Sequence, residues 1–205
     1  MKLFIALCAF FAATTAFAGN IGYSPDQSVI IQSLNTIDLD KDGINDVAII
    51  ASPSKQAQED LDLWVWISSE DEYYILEGSL LSGDMMVHQM KANSAGSLQV
   101  ISNNEYTVSR GLFTVTMTLA YRNNALVLAG YTYADTDRHD LAYFSTCDAN
   151  LLTGQGVLNT NSGNGTFEMN ESISLEDTYF DSLVDTFVGE NGYCSGFEFG
   201  ENGDF

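Results

Sequence analysis

The stretch that most constrains this chain is Asp38-Leu39-Asp40-Lys41-Asp42-Gly43-Ile44-Asn45-Asp46, followed at once by the apolar run Val47-Ala48-Ile49-Ile50-Ala51. Three carboxylates two residues apart, a glycine where the backbone must turn sharply, and a fourth carboxylate beyond it make a loop whose oxygens can converge on one hard cation. Asp38, Asp40 and Asp42 stand at the first, third and fifth places of such a loop, Gly43 at the sixth, the Ile44 carbonyl at the seventh and Asp46 at the ninth. The twelfth place, where an EF-hand requires a bidentate Glu on an exiting helix, is Ile49. A β-branched run leaves this loop, so a strand follows and the EF-hand is excluded. The alternative is an ordinary solvated acidic turn. Four clustered carboxylates repel one another without a counter-ion, which favours Ca²⁺ as the ligand.

Beyond the loop the pattern is mostly strand. Leu63, Val65 and Ile67 alternate with Trp64 and Trp66, and Tyr73 to Leu76 resumes after the acidic turn Glu70-Asp71-Glu72, which predicts a hairpin. Met85 to Met90 and Leu98 to Ile101 are shorter strands joined by the turn-rich Asn93 to Ser97. In Leu112 to Tyr121, Phe113, Val115, Met117, Leu119 and Tyr121 fall on one face and Thr114, Thr116 and Thr118 on the other, a period of two. Asn123-Asn124 tolerates positive φ, so Ala125 to Tyr133 returns antiparallel, and this hairpin is expected at the centre of the sheet. Gly154 to Gly165 reads as loop, with strands at most on either side. One helix is expected over about residues 175–188: Ser174 can cap it with Asp177, Leu175, Tyr179, Phe180, Leu183, Val184, Phe187 and Val188 recur at helical spacing, and Gly189 stops it. The expected fold is a mainly β (α+β) single domain, an antiparallel sheet or sandwich with the C-terminal helix packed on it.

The N-terminus reads as a secretory signal peptide, residues 1–18: Met1-Lys2 is a minimal basic region, Leu3 to Phe11 is apolar, and Ala16-Phe17-Ala18 is a small-x-small cleavage site. The apolar run breaks at Thr14-Thr15, short of the roughly 20 residues of a membrane span. The mature domain, 19–205, is then expected in a periplasm or outside the cell, ending in a Gly-rich acidic tail from Ser195 to Phe205. It retains two cysteines, Cys147 and Cys194, with one possible pairing in an oxidising compartment. A disulfide there would stabilise by about 4 kcal/mol through loop closure; the alternative is two buried thiols. Twenty-eight acids face seven bases, a formal charge of -21. So negative a field makes nucleic acid and anionic membrane surfaces poor partners and suits a cation or a basic protein; the alternative is that the acidity serves only solubility.

The Asp-x-Asp-x-Asp-Gly-x-x-Asp spacing of residues 38–46 resembles the loop of FG-GAP and VCBS-type repeats. A single copy cannot build a propeller, whose blades recur at a fixed period. The chain is more similar to small exported bacterial envelope proteins with one such loop, in which a hairpin reading roughly Tyr-x-Tyr-x-x-x-Tyr-Arg-x-x-x-x-x-Leu-x-Gly and an Asn-Leu-Leu-Thr-Gly segment follow. Thr114 to Gly130, with Tyr121-Arg122 and Leu128-Ala129-Gly130, and Asn150-Leu151-Leu152-Thr153-Gly154 carry that likeness here. It spans roughly Leu34 to Leu158 and brings no assigned activity with it.

Catalytic arrangements are sparse. The chain has no His-Glu-x-x-His, no Gly-x-Ser-x-Gly and no phosphate-cradling glycine loop. His88 lies in an expected strand as a structural histidine, and His139 in the charged turn Asp135-Thr136-Asp137-Arg138-His139-Asp140. Trp64, Trp66, Tyr73 and Tyr74 would serve either as cross-strand packing or as a sugar-stacking platform. The leading expectation is an exported, non-enzymatic calcium-binding domain. The alternatives are an acidic, immunity-like module that holds a basic envelope protein, and a protein that binds or hydrolyses carbohydrate.

Overall fold

A computed structural model describes residues 29–52, 61–81, 86–104, 111–140, 142–169, 173–175 and 180–194 of the chain. The expected signal peptide, the acidic tail and Asp177 of the expected helix cap lie outside these residues. The described strands are β1 (Val29–Ile37), β2 (Asp46–Ser52), β3 (Leu61–Ile67), β4 (Glu72–Leu80), β5 (Val87–Ala92), β6 (Leu98–Asn103), β7 (Gly111–Arg122), β8 (Ala125–Asp137), β9 (Phe144–Asn150), β10 (Gln155–Thr160) and β11 (Gly163–Glu168), followed by the helix α1 (Phe180–Val188).

Within each of two sheets, strands adjacent in sequence pair antiparallel, and the chain passes from one sheet to the other between β4 and β5. One sheet has the order β1-β2-β3-β4 and the other β11-β10-β9-β8-β7-β6-β5. The inner faces of both contribute to one core, with Leu63, Val65 and Ile67 from the first and Val115, Met117 and Leu119 from the second. The chain is thus a mainly β domain of two antiparallel sheets with one described helix, and not a propeller, in line with the period-two patterning.

The β7–β8 hairpin lies at the middle of the larger sheet, and its two-residue turn is tight because Asn123 and Asn124 both take left-handed φ, 53° and 60°, which suits the twist of its strands. β8 runs further than the expected Ala125 to Tyr133. Asp135 and Asp137 remain in the ladder opposite Phe113 and Gly111, so only Arg138 to Asp140 form the turn.

One stretch carries no strand signal in its sequence and another departs from its expectation. Val29 to Ile37, in which Gln32, Ser33, Asn35 and Thr36 obscure the alternation, is the edge strand β1. Gly154 to Gly165 is not a loop; it contains β10 and the start of β11, laddered from Gln155↔Glu168 to Thr160↔Gly163. Its glycines lower β propensity, yet Gly156 is needed: a Cβ there would lie 2.0 Å from the Phe167 ring, which stacks on Tyr193.

A helix of nine residues has little stability alone, so packing must hold α1. Leu183, Phe187 and Val188 enter the core, and the Phe187 ring stacks on Tyr131 of β8 at 4.4 Å between centroids. The chain then folds back, and Tyr193 and Cys194 donate their N–H groups to the Thr186 and Phe187 carbonyls, which the helix end would otherwise leave unpaired. Cys194 is bonded to Cys147 of β9, S–S 2.05 Å, which ties this segment to the larger sheet. No described helix is long and apolar enough to cross a membrane.

Candidate metal centre

The acidic loop joins β1 to β2 at one end of the two sheets. Lys41 (φ 66°) and Gly43 (φ 90°) both take left-handed backbone, a conformation that glycine adopts freely and lysine only under constraint. These two reversals curl the chain so that backbone N–H groups fall on the loop's own carboxylates: Asp42 donates to Asp40 Oδ1 (3.0 Å), Gly43 to Asp38 Oδ2 (3.1 Å) and Ile44 to Asp42 Oδ1 (2.7 Å). One carboxylate oxygen from each of Asp38, Asp40 and Asp42 then lies within 4.8 Å of the others. Among the described residues, Oδ1 of Asp38 is closed off from solvent and accepts no hydrogen bond. A desolvated anionic oxygen in that state is costly unless a cation faces it.

Two further members of the predicted ligand set are placed differently. Ile44 is 58% exposed, and because its side chain carries no polar atom only its main-chain carbonyl can ligate a cation. Asp46, the first residue of β2, is fully buried and stands outside the three-carboxylate group. Its Oδ2 accepts from Leu39 N–H at 2.6 Å and its Oδ1 from Ser68 N–H at 2.9 Å. It closes the loop across its base, and each oxygen keeps a second lone pair.

The other wall of the site is the turn between β3 and β4, residues 68–71. Ser68 Oγ donates to Asp42 Oδ2 (3.2 Å) and Ser69 N–H to Asp40 Oδ2 (3.3 Å). Burial alone would push the Asp40 carboxyl up, but hydrogen bonds from the Ser69 side chain and from the Asp42 and Ser69 backbone outweigh it, so its pKa falls below the ordinary carboxylate value. Glu70 accepts from the phenols of Tyr74 (2.8 Å) and Tyr121, one on each oxygen. Its hydrogen bond pushes the Tyr121 phenol up to about 12. On a third side the Lys41 chain passes over Gly96 of the β5–β6 turn.

Sequence reading found the three converging aspartates and missed this turn. Ser68 and Ser69 carry no motif, and their role arises from contacts 22 to 29 residues away in sequence. Tyr121 was visible as a strand residue and within a resemblance, but not as a partner of this turn. The other candidate residues lie elsewhere. Nδ1 of His88 is 2.9 Å from Ser102 Oγ, and burial lowers its pKa. The His139 and Asp140 N–H groups donate to Asp137 Oδ1, as in a turn. The aromatic group divides between faces: Trp64, Trp66 and Tyr73 alternate with the core positions, whereas Tyr74 packs against the core. Comparison with protein-family models, with curated proteins and with solved structures finds no match to this chain.

Proposed function

We propose that the chain is an exported, non-enzymatic domain that binds one calcium ion in the loop 38–46, the ion ordering the entry to β2. The observation that carries the reading is the convergence of Asp38, Asp40 and Asp42 within 4.8 Å, with one oxygen of Asp38 buried and unpartnered. An all-oxygen, anionic donor set suits a hard divalent cation, and the Ile44 carbonyl and the remaining lone pairs of Asp46 would complete the shell. A loop resembling those of FG-GAP and VCBS-type repeats supports the same chemistry. The disulfide between two buried cysteines supports a periplasmic or secreted location, where such bonds persist.

Calorimetry with Ca²⁺ on chelator-stripped protein tests it. One binding event that is lost in Asp40→Asn and Asp42→Asn, together with a melting midpoint raised by the ion, is the expected result. Equal heats from all three proteins would remove the loop from the account. The charge of -21 supports a second reading, capture of a basic envelope protein through its field. Recovery of a basic partner at low salt and its release at high salt would favour that reading; a salt-insensitive partner would count against it.

A further inference from the structure

The β3–β4 turn touches two parts of the molecule at once. Through Ser68 and Ser69 it supplies donors to Asp46, Asp42 and Asp40. Through the next residue, Glu70, it is fastened to Tyr74 on its own sheet and to Tyr121 on the other. Three consecutive residues therefore span the distance from the acidic loop to the end of β7.

The geometry points to Tyr121 as a positioning residue for the cation loop: acting through Glu70, its phenol fixes the turn that holds the outer oxygens of the aspartates, and the loop's affinity for a divalent cation depends on it. This rests on the reading of residues 38–46 as a cation site. The turn itself is tied at its base, where Glu70 and Asp71 N–H both reach the Ile67 carbonyl, and Asp71 closes it with a left-handed φ of 52°. Beyond those bonds, Ser68 and Ser69 are held by the Asp46 carboxylate on the Ser68 N–H and, from the far side of the turn, by what grips Glu70. Tyr74 grips it from within the same hairpin, four residues on in β4, whereas Tyr121 belongs to the other sheet and ties the turn across to it. A small displacement there matters, because the bonds from Ser68 Oγ and Ser69 N–H to the aspartates are already long at 3.2 and 3.3 Å.

A rival role for Glu70 is to ligate the ion directly. Its oxygens lie outside the converging carboxylate group, and each accepts a phenol proton. The two roles predict opposite effects of Tyr121→Phe, which removes the O–H and keeps the ring. If Tyr121 positions the turn, affinity falls; if it merely occupies a ligand, freeing a Glu70 oxygen raises affinity.

Full-length wild-type, Tyr121→Phe, Glu70→Gln and the double variant are stripped with chelator and titrated with Ca²⁺ by calorimetry, and each is also melted in chelator. The core variant Ile50→Val, mildly destabilised and remote from the turn, is the control for stability alone. Tyr121→Phe is expected to bind about fivefold more weakly. The double variant should be no weaker than Glu70→Gln, since both act through one contact, and Ile50→Val should bind as wild type does. Wild-type binding with an unchanged or tighter Tyr121→Phe, or an equal loss in Ile50→Val, overturns the positioning role and leaves the cation site standing. A wild type that takes up no Ca²⁺ sinks both.

Discussion

Asp46 offers the sharpest test of how the loop is built, because its role can be separated from any ion. The side chain is 0% exposed and holds Leu39 N–H at 2.6 Å and Ser68 N–H at 2.9 Å. Asp46→Ala removes both acceptors from a place that water does not reach. A hydrogen bond to a charged group contributes about 1.5–3 kcal/mol, and a buried N–H left unpaired costs about 1–3 kcal/mol. Two such losses come to about 3–6 kcal/mol, a large share of the roughly 5–15 kcal/mol that holds an ordinary domain folded. Asp46→Asn keeps one acceptor and turns an NH₂ group against the other donor, so about half that loss is expected, some 2–3 kcal/mol. The assay is urea unfolding in excess chelator, where metal affinity plays no part, with amide exchange at Leu39 and Ser68 as the local readout. An Asp46→Ala protein that loses less than about 1 kcal/mol, with both amides still protected, would refute the idea that this carboxylate closes the loop.

Other outcomes follow from the geometry. Burial pushes the Asp135 carboxyl from 3.8 up to about 6; the folded state therefore holds its proton where the unfolded state has released it, and stability falls as pH rises from about 4 to about 6 and stays lower above. Asp135→Asn should thus stabilise by roughly 2 kcal/mol at pH 7.5 and be nearly neutral at pH 4 in denaturant unfolding, and a pH-independent effect would contradict this. Gly156→Ala places a Cβ inside the Phe167 ring and should cost about 1–3 kcal/mol; thermal melts should show most of that loss gone when Phe167→Ala is added, since the clash is then absent. Removing the disulfide by Cys147→Ala with Cys194→Ala should cost about 4 kcal/mol for a separation of 47 residues, and reductant should do the same to the wild type in urea titrations.

The parts of this molecule that were legible in its sequence are those whose cause is local. Thr114, Thr116 and Thr118 alternate with Val115, Met117 and Leu119 because one face of β7 meets the core, and a period of two records that directly. The aspartate loop was legible because its hydrogen bonds span two to five residues. β10 and β11 were not, because glycines at 156, 163 and 165 resemble a loop, and only the distant Phe167 and Tyr193 explain the first of them. The second wall of the site was hidden for the same reason: nothing near Ser68 announces Asp46, and nothing near Glu70 announces Tyr121, 51 residues on.

Pairing the strands of each sheet strictly in chain order has a consequence for how the chain reaches this shape. Each hairpin can zip from its own turn, closing only a short segment, so the entropic barrier to any single ladder is low. What cannot be assembled piecemeal is the meeting of the two finished sheets and the capture of α1 between Tyr131 and the Cys147–Cys194 bond. The slowest step of refolding should then be one of docking and thiol oxidation, and a reduced chain should pass more slowly through a stage in which its ladders are formed and its interior is still open to dye.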